Sequence, residues 1–169
     1  MKTPVLLYHK IDLPTPDVKV RGAFTRPDIF EKQIKYLQKR NYKFVTVGEL
    51  VEHHIEFGSF PLKTLAISFD DGWKDNYTHA FPIMKKYGVR ATIYLVADCL
   101  GCTTDQVVPT GELPREHMSE NDVREMAAYG IEFGSHTLSH RWLHELPLDE
   151  IDREVVESKK FVENLTQSD

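Results

Sequence analysis

Cysteine is scarce in this chain: there are two in 169 residues, Cys99 and Cys102, spaced C-x-x-C. A redox site at that spacing calls for a thioredoxin-like βαβ context, and a zinc knuckle calls for a second pair of ligands. Neither is evident, so the two read as small residues near a loop at a strand end. Positive charge is not in excess either. The net charge is −5 and no long basic run occurs, which argues against nucleic acid or an anionic membrane as the main partner. No apolar stretch approaches the ~18–20 residues of a membrane span. The N-terminus, MKTPVLLYHK, lacks the cleavage pattern of a signal peptide, so the expectation is a cytoplasmic protein unless a leader has been removed. Internal repeats, low-complexity tracts and linker-like stretches are missing too. What remains, with 41% hydrophobic and 28% charged residues, is an ordinary globular composition, long enough for a single domain over 1–169 with a real core.

What is present is an alternation of strands and helices. Pro4 to Tyr8 is a short apolar run ending at His9 and reads as a buried strand. Pro14, Pro16 and Gly22 mark a loop, after which Pro27 opens a helix to about Arg40. Phe44-Val45 is a short strand, and Thr46 with Glu49 predicts a capping box on a helix to about Glu56. Leu65 to Phe69 is the next strand, residues 74–87 a helix ended by Gly88, and Ala91 to Ala97 a strand. Residues 98–117 read as a loop. Ser119 caps a helix to Tyr129, Ile131 to Gly134 is a strand, and Pro147 to about Asn164 is an amphipathic helix. The expected fold is α/β with parallel strands. Five strands are fewer than a closed barrel needs.

The chemistry sits at strand ends. LAISF runs into Asp70-Asp71-Gly72, and IEFG runs into Ser135-His136, with His140 completing H-x-x-x-H. On a helical turn, residues four apart face the same way. Two imidazoles so placed, with one carboxylate, make a His-His-Asp set with a position open for water. Strand C-termini share one face in parallel α/β folds, so His9, Asp70, Asp71, His136 and His140 are expected to converge. His53 and His54 read as surface residues. His79, His117 and His144 have no comparable context.

SFDDG and GSHTLSH resemble the first two motifs of the polysaccharide deacetylase family, the NodB-homology or carbohydrate esterase family 4 domain. The text from Phe69 to Gly101 is similar to that family's strand–helix–strand core, and the resemblance covers about residues 1–165. It implies a distorted (β/α) barrel, a divalent metal and an N-acetylated sugar polymer as substrate. It makes Asp70 the catalytic base and gives the metal to Asp71, His136 and His140. PVLLYHKI, followed by Phe30, Gln33 and Leu37 on one helix, resembles the poly-N-acetylglucosamine deacetylase branch. There the Leu-x-His motif lies in the first strand. Leu7-Tyr8-His9 matches it, and by that resemblance His9 is the general acid; a histidine capping a strand end is the simpler alternative.

Those roles suit amide hydrolysis. A divalent metal lowers the pKa of its water and polarises the carbonyl, Asp70 takes the proton, and His9 protonates the leaving nitrogen. Zinc is the expected metal, with cobalt and nickel equally suited to His and Asp ligands. Gly72 permits the tight turn that holds both acids. Phe69, Tyr8 and Trp73 are either walls for a sugar or core aromatics.

The family's third motif should follow soon after residue 165, so the C-terminal part of the family domain is expected to be missing and the barrel incomplete. Apolar faces left open make self-association an expectation. Two other readings stand beside the hydrolase: a non-catalytic carbohydrate-binding or interaction protein on the same fold, and a deacylase of a small N-acyl sugar.

Overall fold

The computed structural model of the chain describes residues 3–19, 21–103 and 114–167. The apolar N-terminal run forms β1, Val5–Tyr8. Pro27 occupies the first turn of α1, Pro27–Lys39, where its missing N–H would have been unpaired in any case. β2, Lys43–Val45, leads into α2, Val47–Phe57. The capping box forms as the spacing predicts. The Thr46 hydroxyl accepts from the Glu49 N–H, and the Glu49 carboxylate accepts from the Thr46 N–H at 2.9 Å. β3, Thr64–Phe69, is followed by the π-turn Asn76–Ala80 and then α3, Phe81–Tyr87, which Gly88 ends in the left-handed region. β4 is Thr92–Leu95. α4, Glu120–Tyr129, carries a second capping box, Ser119 with Asp122. β5, Glu132–Ser135, and α5, Leu148–Thr166, complete the order.

The five strands make one sheet in which every pairing is parallel. β3 is its spine. β1 lies along one edge, from Val5 opposite Ala66 to Tyr8 opposite Phe69. The other edge is divided: β2 pairs with residues 64–66, β4 with 68 and 69, and β5 lies beyond β4. All six β3 residues are buried, as expected of a parallel strand covered on both faces. The α/β class and the five strands expected from the sequence are both found.

The core under the β1 and β3 ends is aromatic. Phe30 of α1 packs edge-on against Tyr8, ring centroids 5.1 Å apart, and against Phe69 at 5.8 Å. Phe30 and Phe69 are fully buried, and each such side chain contributes about 1.5–3 kcal/mol. The Tyr8 hydroxyl donates to Gln33 at 2.7 Å. Phe30 and Gln33 therefore serve this contact, Phe69 is a core residue, and Tyr8 and Leu37 are partly buried against that core.

Two element boundaries differ from expectation. The helix over 74–87 is not regular, because the Phe81 N–H reaches the Asn76 carbonyl, five residues back. The strand expected over 91–97 stops at Leu95. Beyond it, Ala97–Cys99 form a 3-10 turn whose Ala97 and Asp98 N–H groups donate to the Thr137 and Leu138 carbonyls. The loop expected over 98–117 lies partly outside the described residues. Among the described residues, no helix is long and apolar enough to cross a membrane.

Candidate active site

Each strand end delivers its side chain by continuing the ladder one step. The Asp70 N–H donates to the Tyr8 carbonyl at 3.1 Å, which sets Asp70 and His9 side by side, Nε2 to Oδ2 3.9 Å. The chain then turns through two left-handed residues, Asp71 at φ 74 and Gly72 at φ 73. Gly72 is required twice over, since a Cβ there would also lie 2.7 Å from the Leu95 Cδ2. This turn aims Asp71 across the strand ends.

The two oxygens of Asp71 have separate partners. Oδ1 faces His136 Nε2 at 3.6 Å and His140 Nε2 at 3.4 Å. Oδ2 accepts a hydrogen bond from the Trp73 indole N–H at 2.9 Å. Burial works to raise the Asp71 carboxyl, but the bonds from His140 and Trp73 outweigh it and hold it at about 2. The same bond raises His140. Asp70 is shifted the other way: burial raises it, and the charges of His136 and His9 only partly offset this.

His136 and His140 lie on a loop, which corrects the helical turn expected of their spacing. The His136 N–H donates to the Leu95 carbonyl at 2.7 Å, extending the β4–β5 ladder. Thr137 and His140 are both left-handed, at φ 68 and 60, and the His140 N–H is held by the Thr137 hydroxyl at 3.0 Å. The imidazoles meet, centroids 5.1 Å apart, through this folded loop and not through helical periodicity. The loop is pinned from α5. Glu154 accepts from the Leu138 and Ser139 N–H groups, each at 2.9 Å, and from the Ser139 hydroxyl.

One atom each from Asp71, His136 and His140 lie within 4.8 Å of one another. Ligands about 2.0–2.1 Å from a tetrahedral ion sit about 3.3 Å apart, close to the 3.4 and 3.6 Å separations from Asp71 Oδ1. The three could hold a divalent ion, with two nitrogens and one oxygen as donors. All five residues expected from the sequence are thus at one end of the sheet.

Other expected positions lie elsewhere or act differently. Cys99 and Cys102 are free thiols, and burial pushes Cys99 up to about 12. His53 bonds the Ser59 carbonyl at the end of α2, and His144 is exposed beside Trp142. Trp73 is buried, not a sugar wall. The Lys10 ammonium sits 3.6 Å from its ring centroid and the His117 ring stacks on it at 4.2 Å, so the indole that holds Asp71 is itself clamped. Burial lowers His117 to about 4, which keeps that ring neutral near pH 7. His117 and Glu154 were not legible as site residues. For Glu154 a signal existed: it shares the buried stripe of Ser158, Val162 and Leu165, where an acid needs a partner. For His117 the sequence holds none.

Known proteins match the chain over most of its length. The polysaccharide deacetylase family matches residues 58–169. The Bacillus subtilis protein YxkH is 31% identical over 168 residues, covering 97% of this chain and 52% of that protein. A poly-beta-1,6-N-acetyl-D-glucosamine N-deacetylase of Staphylococcus epidermidis is 33% identical over 128 residues, covering 75% of this chain and 42% of that protein. The chain therefore spans about half, or less, of these curated relatives. The structure of the Streptococcus pyogenes deacetylase PplD in complex with acetate superposes with a TM-score of 0.81 at 25% identity, covering 99% of this chain and 70% of that one.

Proposed function

The chain belongs to the polysaccharide deacetylase family, and on that premise we propose that it removes N-acetyl groups from an N-acetylglucosamine-containing polysaccharide with the help of a divalent metal, zinc by preference. What carries the reading is the gathering of Asp71, His136 and His140 around one point with Asp70 and His9 beside them. The substrate class is that named for the staphylococcal relative.

A divalent ion held by Asp71 Oδ1 and the Nε2 atoms of His136 and His140 would supply a water of pKa about 7 and polarise the acetyl carbonyl. Asp70 accepts the proton of the attacking water, its carboxylate standing 3.9 Å from His9 at the same end of the sheet. As the water oxygen bonds to the acetyl carbon, the C–N bond breaks and His9 Nε2 gives a proton to the departing nitrogen. The products are acetate and a free amine. Trp73 and Glu154 touch none of the reacting atoms; they hold the ligands in place.

The test is acetate release from N-acetylglucosamine oligomers with zinc, cobalt or nickel added, comparing wild type with Asp70→Asn. Release by wild type and its loss in the variant are expected. No release with any of the metals would sink the reading, and so would an Asp70→Asn variant as active as wild type.

A further inference from the structure

The backbone of residues 9–11 is held by three side chains from one short stretch. Asn76 Nδ2 donates to the His9 carbonyl at 2.8 Å. The Ile11 N–H donates to Asp75 Oδ1 at 2.6 Å. His79 Nδ1 lies 2.8 Å from the Ile11 carbonyl. Asp75 immediately precedes, and Asn76 and His79 lie on, the irregular turn where the helix leaves its regular period, a local widening that recurs at functional sites. Its effect is to direct all three groups at the segment carrying His9.

Stability alone does not explain Asn76. It is completely buried, and its Oδ1 has no hydrogen-bond partner among the described residues. An apolar residue of the same size would leave no idle acceptor. What Asn76 brings is the amide donor, shared between the His9 carbonyl and Asp75 Oδ1 at 3.1 Å. Among the described residues the His9 imidazole is tied to Asp70 at 3.9 Å, a long contact that leaves its placement to the backbone.

We propose that Asn76 is the positioning residue for His9, with Asp75 and His79 fixing the segment on the Ile11 side, so that the π-turn sets the general acid against Asp70. This rests on the deacetylase reading above. Asn76 touches no reacting atom and acts through His9.

The discriminating experiment compares an amide with an activated ester. Asn76→Leu keeps the side-chain size and removes the donor. On an N-acetylglucosamine oligomer it should lower kcat about 10–100-fold, a part of the roughly 10²–10⁴-fold that a general acid supplies, with KM unchanged. On 4-nitrophenyl acetate, whose leaving group needs no proton, the rate should stay within about twofold of wild type. In a His9→Ala background the same change should add less than about twofold, since the two act as one unit. Equal losses on amide and ester, or an additive double variant, overturn the proposal. If Asn76→Leu does not fold, Asn76→Ala, which also lacks the donor, carries the same expectations. If wild type hydrolyses no amide at all, the deacetylase reading fails separately. Amide hydrogen exchange then decides the positioning: about tenfold faster exchange at Lys10 and Ile11 in the variant supports it, and unchanged exchange overturns it.

Discussion

His9 and Asp70 stand side by side because β1 and β3 run one rung further than the strands themselves, with the Asp70 N–H on the Tyr8 carbonyl and the two side chains 3.9 Å apart. If the two act as the proposed acid and base, set by main-chain register and not by the proposed metal ligands, their loss should be separable from metal binding. His9→Ala and Asp70→Asn are each expected to lower acetate release about 10²–10⁴-fold while zinc affinity by isothermal titration stays close to wild type. A large loss of zinc in either variant would place that residue among the ligands instead.

Trp73 fixes which oxygen Asp71 offers. Trp73→Phe keeps a ring for Lys10 and His117 to pack on and removes the donor to Oδ2. Zinc affinity should fall about 10–100-fold, as for other partners of metal ligands, read by competition with a chromophoric chelator. Undiminished affinity would show that the indole bond does not orient the carboxylate.

Glu154 should be felt in both stability and metal affinity. Glu154→Ala strands the Leu138 and Ser139 N–H groups, at a cost of about 2 kcal/mol, or about 4–8 °C in Tm, and loosens the loop between His136 and His140. Burial works to raise the Glu154 carboxyl, but the bonds from Ser139 and Leu138 outweigh it and hold it below its ordinary 4.5. Its contribution is therefore full above about 4.5 and lost as the pH falls through the lower folded value. Thermal melts of wild type and variant should converge in acid. A constant difference at every pH would count against the ionised contact.

Asp75 works in the opposite sense. Burial raises it to about 6 from 3.8, against the pull of the Ile11 N–H. The folded protein binds its proton more tightly, so this group favours folding below about 4, and that contribution is lost as the pH rises through 6. The shift corresponds to about 3 kcal/mol. Asp75→Asn, whose amide oxygen still accepts from Ile11, should flatten the stability profile between about pH 4 and 6 and stabilise the chain at pH 7. Urea titrations across that range measure it, and an unchanged slope would contradict the assignment.

The sequence carried the strands, the Thr46–Glu49 capping box, the Ser119 cap and the five residues that gather at one end of the sheet, because these leave local marks: an apolar run, a Thr or Ser three positions before an acid, a histidine or acid where the run stops. It misplaced what depends on backbone geometry. His136 and His140 have helical spacing, yet two left-handed residues bring them together. The 74–87 helix looks regular, yet its widened turn is what lets Asp75, Asn76 and His79 reach residues 9–11. Trp73, Tyr8 and Phe69 looked able to face a sugar because composition does not tell an inward aromatic from an outward one. Lys10, Trp73 and His117 meet only after distant segments pack, and no spacing records that.

The parallel pairing of β1 with β3 also bears on how the site comes into being. His136 and His140 lie on one short loop and can approach each other as soon as it closes. His9 and Asp70 meet only when a strand near the N-terminus docks beside one that follows two helices, and Asn76 must arrive from further on. Long closures of this kind are slow, since chain entropy is lost before contacts compensate. During refolding the histidine pair should therefore form first, and the full set with Asp71 only after long-range docking of the same kind that brings His9 to Asp70.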